Sequence, residues 1–256
     1  MGKRFDLIAS SYEKALKLYP EARTDVEEIL ELLNIRGNET ILETTCGTGY
    51  LTEKIARLLK SGRLIAHDVS SAMLSFAELK IKDAGFKNVD IRRADDIFSL
   101  QLEDCSIDKF VCFGGFHHLE EPVRMFKTAS RLLKIGGILV VGDFADNSLV
   151  QKYFDEKVHY LSDGGHSGLF LSESQMLNFG RFADLEVISI ERKRVPFIFS
   201  SIKDIGFFYQ LVHFLNQNPE ETADDIGQYM GVIEESGKFI VPMDYIYAKY
   251  QKVAGF

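Results

Sequence analysis

The residues best suited to chemistry form a short polar turn, Glu43-Thr-Thr-Cys-Gly-Thr-Gly49, directly after an apolar run. Small residues let the backbone approach a ligand closely, and the N-terminus of the following helix supplies free N–H groups. In an open α/β sheet such a turn lies at the carboxyl edge, where ligands bind. The turn is therefore a candidate ligand-binding segment.

A second candidate is Asp68, which ends the next apolar segment 19 positions after Gly49. A carboxylate at that place can accept hydrogen bonds from both hydroxyls of a ribose. The dinucleotide fingerprint requires glycine at position 52, where this chain has Thr52, and the Gly-Lys-Ser/Thr of a phosphate loop is absent. These features favour a nucleoside ligand and disfavour an NAD-linked oxidoreductase.

Apolar strands alternate with helical segments through the first 143 residues, which predicts βαβ units and a parallel sheet covered on both faces. Gly136-Gly137 is interpreted as the stop of the last of these helices. Upstream, Pro20 is predicted to open a helix with an apolar stripe. The predicted strands are 40–43, 63–67, 89–92, 109–113 and 138–141, and the predicted helices are 50–60, 70–84 and 122–133.

The remainder of the chain predicts a single domain with additions at both ends. Residues 1–36 form an N-terminal helical cap and 37–145 the ligand-binding core. A strand is expected at 185–190, and residues 238–256 hold the last strand. The segments 146–180 and 196–237 are predicted to form a mainly helical lid over the carboxyl edge of the sheet, with a glycine-rich loop at 162–168.

The motifs of residues 40–142 resemble, in order and spacing, the seven-stranded (class I) S-adenosylmethionine-dependent methyltransferase family. The resemblance implies a Rossmann-like, doubly wound, mostly parallel seven-stranded sheet, with S-adenosylmethionine as cofactor and S-adenosylhomocysteine as product. The matching motifs are Glu43–Gly49, Asp68–Leu74, Ala94–Asp96, Ser106–Asp108, His117–Leu119 and Arg131–Gly137.

The resemblance also implies which residues bind the cofactor. One departure is Thr45, since the family usually has glycine there and a threonine is strained if the position needs a positive φ. The implied contacts are Tyr12, Glu43, Thr45, Cys46, Gly47 and Gly49 for the methionine part, Asp68 for the ribose, Val69, Met73 and Asp95 or Asp96 for the adenine, and Phe113 to His118 for the methyl end.

The expected reaction is methyl transfer to O, N or C of a small-molecule or acyl acceptor. Because the displacement is in line, the protein mainly supplies alignment, and a base is needed only for a protonated acceptor. His117 or His118 is the candidate base; the alternative is that one packs in the core and the other caps a helix. His159, Asp163 and His166 have no typical ligand spacing, so no metal site is expected.

Two alternatives to a small-molecule methyltransferase stay open. Ser201–Ile205 and Val241–Tyr247 resemble the tail of malonyl-carrier-protein O-methyltransferases, which implies a carboxyl acceptor on a carrier protein. Thr45 keeps open a non-catalytic module that only binds an adenosyl ligand. A group of lid aromatics is predicted either to wall an acceptor pocket or to pack the core: Phe197, Phe199, Phe207, Phe208, Tyr209 and Phe214.

The composition bears on the binding partners and the cellular compartment expected for this protein. The formal net charge of −8 argues against nucleic-acid binding, which depends on Lys and Arg. No apolar run of about 18 residues predicts a membrane span, and the N-terminus does not have the pattern of a signal peptide. Cys46, Cys105 and Cys112 have no disulfide or metal spacing, which is typical of a cytoplasmic protein. Exposed lid aromatics leave a homodimer possible.

Overall fold

Helices and strands alternate along the chain as the apolar pattern predicts. The computed structural model describes residues 2–163 and 165–254. Its helices are α1 (Gly2–Leu18), α2 (Asp25–Leu33), α3 (Tyr50–Leu58), α4 (Ser71–Asp83), α5 (Pro122–Leu132), α6 (Leu149–Tyr153), α7 (His159–Leu161), α8 (Glu173–Phe182), α9 (Ile202–His213) and α10 (Pro219–Met230). Its strands are β1 (Thr40–Thr44), β2 (Arg63–Asp68), β3 (Val89–Arg93), β4 (Ile107–Phe113), β5 (Leu133–Phe144), β6 (Leu185–Phe199), β7 (Ile233–Glu235) and β8 (Lys238–Lys252).

The sheet has the strand order β3-β2-β1-β4-β5-β8-β6, and the short strand β7 pairs with β8 outside this path. The first five strands of this order, from β3 through β2, β1 and β4 to β5, run parallel to one another. Strand β8 is antiparallel to both β5 and β6. The predicted doubly wound, mostly parallel fold is confirmed, with seven strands on the main path and an eighth in a hairpin. The order changes direction at β1 and β4, which is where ligands bind in such sheets.

The central strand β1 is buried on both faces, and this explains its continuous apolar sequence. Ile41 packs into the core cluster beneath α2 and α3, whereas its neighbour Leu42 packs into the cluster beneath α5 and α8. Both side chains are 0% exposed. Successive side chains of a strand point to opposite faces, so two separate cores hold β1 in place.

Strand β6 is longer than the sequence pattern predicts. The predicted strand 185–190 continues to Phe199, and the predicted lid segment 196–237 also contains β7, so the helices of this segment are limited to α9 and α10. Pro196 suggests a break, but among the described strands β6 pairs only with β8, and its outer edge forms just an isolated bridge between Phe197 and Arg23. A proline is tolerated on such an edge strand. Val195, Phe197 and Phe199 are buried at alternate positions.

Two predicted helix boundaries are wrong. Helix α2 begins at Asp25, so Pro20 lies in the turn that precedes it. Helix α5 ends at Leu132, and Gly136-Gly137 lies within β5 instead of stopping a helix. A Cβ at Gly137 would lie 2.8 Å from the carbonyl oxygen of Lys134, so this pair allows a tight backbone bend at the start of β5.

The N-terminal cap is fastened to the ligand-binding core by polar contacts. The Asp6 carboxylate accepts hydrogen bonds from Ser70 Oγ (2.6 Å) and from the Ala72 N–H (3.1 Å) at the start of α4. Further along α1, Glu13 forms an ion pair with Lys80 at 3.2 Å. A carboxylate is favoured at a helix N-terminus, so Asp6 both caps α4 and holds α1 across the carboxyl edge. No helix in the described ranges is long and apolar enough to cross a membrane.

A buried ion pair joins the cap to the last strand. The Asp25 carboxylate, 0% exposed, accepts hydrogen bonds from the Arg23 guanidinium at 2.5–3.2 Å and from the Tyr245 hydroxyl at 2.8 Å. Arg23 also donates to the Tyr12 hydroxyl at 2.8 Å. Removing one partner of a buried pair leaves an uncompensated charge.

We expect Asp25→Asn to lower the free energy of unfolding by about 3–5 kcal/mol, because Arg23 then stays buried without its counter-charge. Glu27→Gln, at an exposed position in the same first turn of α2, is the control and is expected to change it by less than about 0.5 kcal/mol. Urea denaturation measures both variants. Equal effects of the two changes would show that only the charge at the helix terminus matters.

Candidate functional site

A cavity of about 730 Å³ opens at the carboxyl edge of the sheet, between the β1, β2 and β4 ends and the helices α1 and α9. Its volume is in the range of small-molecule sites. Of the residues predicted for cofactor binding and catalysis, all line this cavity except Gly49 and Phe116, and Phe116 packs in the core. Gly49 precedes α3 with φ +80°, and a Cβ there would lie 3.0 Å from Ala77 Cβ, so it sets the close packing of α3 on α4.

Glu43 lies at the end of β1 with its side chain buried. Its carboxylate accepts a hydrogen bond from Thr52 Oγ1 at 2.7 Å. Burial raises the pKa of Glu43 to about 8. Thr52 therefore has a role that the sequence analysis missed: the residue that replaces the third glycine of a dinucleotide fingerprint is the hydrogen-bond donor for this carboxyl group.

Asp68 stabilises the turn after β1 through hydrogen bonds. One of its oxygens accepts a hydrogen bond from the Gly47 N–H and the other from the Ser70 N–H, both at 2.9 Å. Burial raises the pKa of Asp68 above its usual range. Gly47 has φ +54°, and a Cβ there would meet nothing within 4 Å, so the turn borders open space at this glycine.

Thr45 adopts the left-handed backbone conformation, with φ +57°. The strain expected for a threonine at this position is therefore present, at about 1–2 kcal/mol. Across the cleft, a Cβ at Gly115 would lie 2.6 Å from Thr45 Cβ and 2.9 Å from Thr45 Oγ1. The side chain that replaces the usual glycine thus fits only because glycine follows β4 at position 115.

The predicted adenine end is lined by Val69, Met73, Ile97, Asp95 and Asp96. The side chain of Asp95 is 82% exposed and pairs with Arg93 at 2.7 Å. The Asp96 carboxylate is fixed more firmly, since it accepts hydrogen bonds from the N–H (2.7 Å) and hydroxyl (2.8 Å) of Ser99. Of the two acids, Asp96 has the more defined position.

The opposite end of the cavity contains the two candidate histidines, on a 3-10 turn at Phe116–His118. His117 is bonded twice to the fully buried Asp143: its Nδ1 lies 2.7 Å from Oδ1, and its N–H donates to Oδ2 at 3.0 Å. This leaves Nε2 of His117 unbonded to the carboxylate. The ring of His118 lies 3.9 Å from that of His117 and packs edge-on against Phe5 of α1 at 5.0 Å.

A third histidine joins this end. His166, from the loop between α7 and α8, packs 5.4 Å from His117 and 5.1 Å from His118, measured between ring centroids. Burial, and then neighbouring charges, lower the pKa of His118 far below its usual value and that of His166 to about 2. Both rings are therefore neutral. The cluster has no local signal in the sequence, because His166 lies 48 positions after His118.

The lid aromatics divide between the two predicted roles. Phe197, Phe208 and Tyr209 are buried and also line the cavity. Phe199 packs in the core, Phe207 is half-buried and Phe214 is 38% exposed. Three of the six rings therefore belong both to the cavity wall and to the core.

Two cations in the cavity wall also escaped the sequence analysis. Arg23 lines the cavity while bound to Asp25 and Tyr12. Arg4, on α1, is half-buried, and burial lowers its pKa. Among the described residues Arg4 has no carboxylate partner within ion-pair distance. Neither arginine belongs to a motif, so only the fold places them here.

We expect Gly115→Ala to lower the free energy of unfolding by about 1–3 kcal/mol, because the new methyl group overlaps Thr45. The double variant Thr45→Gly/Gly115→Ala should recover most of this loss. Gly227→Ala, where a Cβ meets nothing within 4 Å, is the matched control. Additive effects in the double-mutant cycle would show that the two positions are not coupled.

Glu43 predicts a pH-dependent stability without ligand. A carboxyl group whose pKa is higher in the folded state stabilises fully below its unfolded value of 4.5, and this contribution is lost as pH rises through about 8. Glu43→Gln keeps the acceptor for Thr52 and cannot ionise. The stability of Glu43→Gln relative to the unsubstituted protein should therefore rise between about pH 5 and about pH 8, by up to about 1.4 kcal/mol per pH unit. A difference in unfolding free energy between the two proteins that stays constant across this pH range would contradict the assignment.

Comparison with known proteins supports the same family as the motifs. The chain is 33% identical over 130 residues to the ubiquinone/menaquinone biosynthesis C-methyltransferase UbiE of Teredinibacter turnerae, covering 49% of this chain and 52% of that protein. It is 28% identical over 178 residues to a malonyl-acyl-carrier-protein O-methyltransferase of Hahella chejuensis, covering 69% and 60%. The matches thus span little more than half the length of these relatives.

The fold is shared with solved methyltransferases. A geranyl diphosphate C-methyltransferase of Streptomyces coelicolor, solved with S-adenosyl-L-homocysteine, superposes with a TM-score of 0.59 at 14% identity, over 89% of this chain and 78% of that one. A family model described as a methyltransferase domain matches residues 35–184, which include the turn after β1, Asp68 and the histidine cluster. The chain belongs to this methyltransferase domain family.

Proposed function

We propose that the protein transfers the methyl group of S-adenosylmethionine to a small-molecule or acyl acceptor. The observation that carries this proposal is the division of the cavity into two unlike ends. One end has the buried carboxyl groups of Glu43 and Asp68 beside the turn after β1, and the other has neutral imidazoles and aromatic rings. A cationic nucleoside sulfonium suits the first end, and an acceptor suits the second.

In this proposal the cofactor lies across the ends of β1 and β2. Asp68 binds the ribose hydroxyls with the lone pairs that Gly47 and Ser70 leave free. Arg23 and Tyr12 bind the methionine carboxylate, and Glu43 ionises when the cationic part of the ligand approaches. The adenine fits between Val69, Met73 and Ile97, with its amino group toward Asp96.

The histidines then activate the acceptor at the methyl end. His117 has its ring fixed by Asp143, so Nε2 has a defined direction. An O, N or C nucleophile that starts protonated would lose its proton on this side of the cavity. Phe144, Phe154 and Phe208 exclude water around it, which favours a small and partly apolar acceptor.

Arg4 favours a second candidate, methyl transfer to a carboxylate. A half-buried guanidinium without a carboxylate partner in the described structure would be satisfied by an acidic acceptor, such as an acyl group with a free carboxyl end. Replacement of Arg4 by glutamine should then raise KM for a carboxylate acceptor far more than for a neutral phenol or amine. An equal change in KM for both classes of acceptor would remove this candidate.

Calorimetric titration with S-adenosylmethionine, S-adenosylhomocysteine and NAD in parallel tests the cofactor. We expect micromolar binding of both adenosyl ligands and none of NAD. Asp68→Asn should weaken adenosyl binding by about 1–3 kcal/mol, since one charge-assisted hydrogen bond is lost, whereas Asp95→Asn at the exposed acid should have little effect. Unchanged affinity in Asp68→Asn would refute the ribose assignment.

Binding without turnover would instead support the non-catalytic adenosyl-binding module. Transfer of the labelled methyl group to an acceptor, with release of S-adenosylhomocysteine, separates the two in an acceptor screen with labelled cofactor. The observation that favours the enzyme is the histidine cluster, since a module that only binds the nucleoside has no use for oriented imidazoles at the far end of the cavity.

We also propose a reducing, cytoplasmic setting without nucleic-acid partners, supported by three free cysteines and a formal net charge of −8. A homodimer would use the exposed apolar side chains of Tyr160, Phe182 and Phe214. Light scattering after gel filtration measures the mass directly, and a monomer at micromolar concentration would exclude this dimer.

A further inference from the structure

The three histidines at the acceptor end have an arrangement that hydrogen bonding alone does not explain. One ring nitrogen from each of His117, His118 and His166 lies within 4.8 Å of the other two. The three come from two separate segments, the 3-10 turn after β4 and the loop before α8. Aromatic packing brings rings together, but it does not require their nitrogens to converge.

His166 is the most informative member of the cluster. It is 7% exposed, and neither Nδ1 nor Nε2 has a hydrogen-bond partner among the described residues. A neutral imidazole has one donor and one acceptor nitrogen, and a buried polar atom without a partner costs about 1–3 kcal/mol. A ligand that accepts the lone pair of His166 would remove this cost.

His117 has the outer-sphere partner that metal-bound histidines typically have. Its Nδ1 faces the Asp143 carboxylate at 2.7 Å, which fixes the tautomer with the proton on Nδ1 and makes Nε2 a better electron-pair donor. Asp143 is itself held by the N–H of His117 and by the N–H of Phe144 at 2.8 Å. The ring orientation is therefore set before any ligand binds.

The loop that carries His166 is fitted closely against this ring. The Leu169 N–H donates to the carbonyl oxygen of His117 at 2.8 Å. A Cβ at Gly168 would lie 2.8 Å from His117 Cδ2 and 3.3 Å from His166 Cε1. Glycine at position 168 therefore allows the loop to bring His166 beside His117.

We propose that His117, His118 and His166 bind one divalent transition-metal ion of the zinc class. Three imidazole ligands without a carboxylate suit zinc, iron, nickel and copper better than magnesium or calcium. Tetrahedral coordination with Zn–N bonds of 2.0–2.1 Å requires nitrogens about 3.4 Å apart, so ring rotations must shorten the nitrogen–nitrogen distances, which lie within 4.8 Å, by at most about 1.4 Å. Three protein ligands leave a fourth position open toward the cavity.

The expected absence of a metal site rested on a different set of residues. His159 Nδ1 is bonded to the carbonyl oxygen of His166 at 2.6 Å, and Asp163 accepts a hydrogen bond from Asn216 at 2.7 Å. Both are therefore occupied elsewhere. Of that set only His166 joins the cluster, together with two histidines that are far from it in sequence.

The open position has a use that rests on the proposed function. An acceptor hydroxyl bound to the ion would have a lowered pKa and release its proton to solvent. The oxygen lone pair would then form the O–CH₃ bond as the sulfonium S–CH₃ bond breaks, and that electron pair would return to sulfur as a thioether. The ion and Arg4 together favour an acidic oxygen acceptor, such as a phenol or a carboxylate.

Titration of chelator-treated protein with Co²⁺ tests the site without any methyl transfer. We expect visible d–d absorption of four- or five-coordinate Co²⁺ that saturates at one equivalent and is abolished by Zn²⁺. His166→Ala and His118→Gln should each weaken Co²⁺ binding at least 100-fold, and Asp143→Asn about 10–100-fold. His213→Asn, at a half-buried histidine of the same cavity, should leave it unchanged.

Titration with S-adenosylhomocysteine on the same samples separates this proposal from the proposed function, since His166→Ala should bind it with unchanged affinity. Absence of the d–d absorption in the unsubstituted protein would overturn the metal site, whatever the result for the adenosyl ligand. A Co²⁺ affinity in His166→Ala and His118→Gln equal to that of the unsubstituted protein would also overturn it, because the ion would then lie elsewhere.

Discussion

The carboxyl edge of the sheet carries three buried carboxyl groups, those of Glu43, Asp68 and Asp143, and their need for hydrogen-bond donors organises the site. A buried carboxylate without donors is strongly destabilised. Glu43 has the hydroxyl of Thr52, Asp68 has two backbone N–H groups from neighbouring turns, and Asp143 has the ring and N–H of His117. Each acid thus fixes one wall of the cavity.

The two ends of the cavity differ in the charged groups that line them. Glu43 and Asp68 line the cavity beside β1 and β2, whereas Asp143 lies behind His117, so the end beyond β4 presents neutral imidazoles and an arginine to the cavity. In a partly dry cavity such differences act strongly on a charged ligand. In the proposed function, a cationic donor and an electron-rich acceptor bind in opposite halves of the cavity.

The turn after β1 shows how this fold tolerates a departure from its family pattern. Thr45 keeps the left-handed conformation that normally suits glycine, and Gly115 on the neighbouring strand end gives its side chain room. The left-handed backbone is thus preserved, and the absence of a side chain at Gly115 leaves room for the side chain of Thr45. The sequence motif changes while the shape of the turn does not.

The sequence by itself determined the alternating α/β fold, the turn after β1 and the position of Asp68, because strand periodicity, glycine spacing and helix caps are local properties. Only the tertiary structure decided that β6 continues through Pro196, since an edge strand tolerates a proline that local pattern interprets as a break. It also decided that His166 meets His117 and His118, and that Arg4 and Arg23 line the cavity. These contacts join residues that are distant in the chain, and their geometry depends on the packing of α1 and the lid, for which one sequence has no local signal.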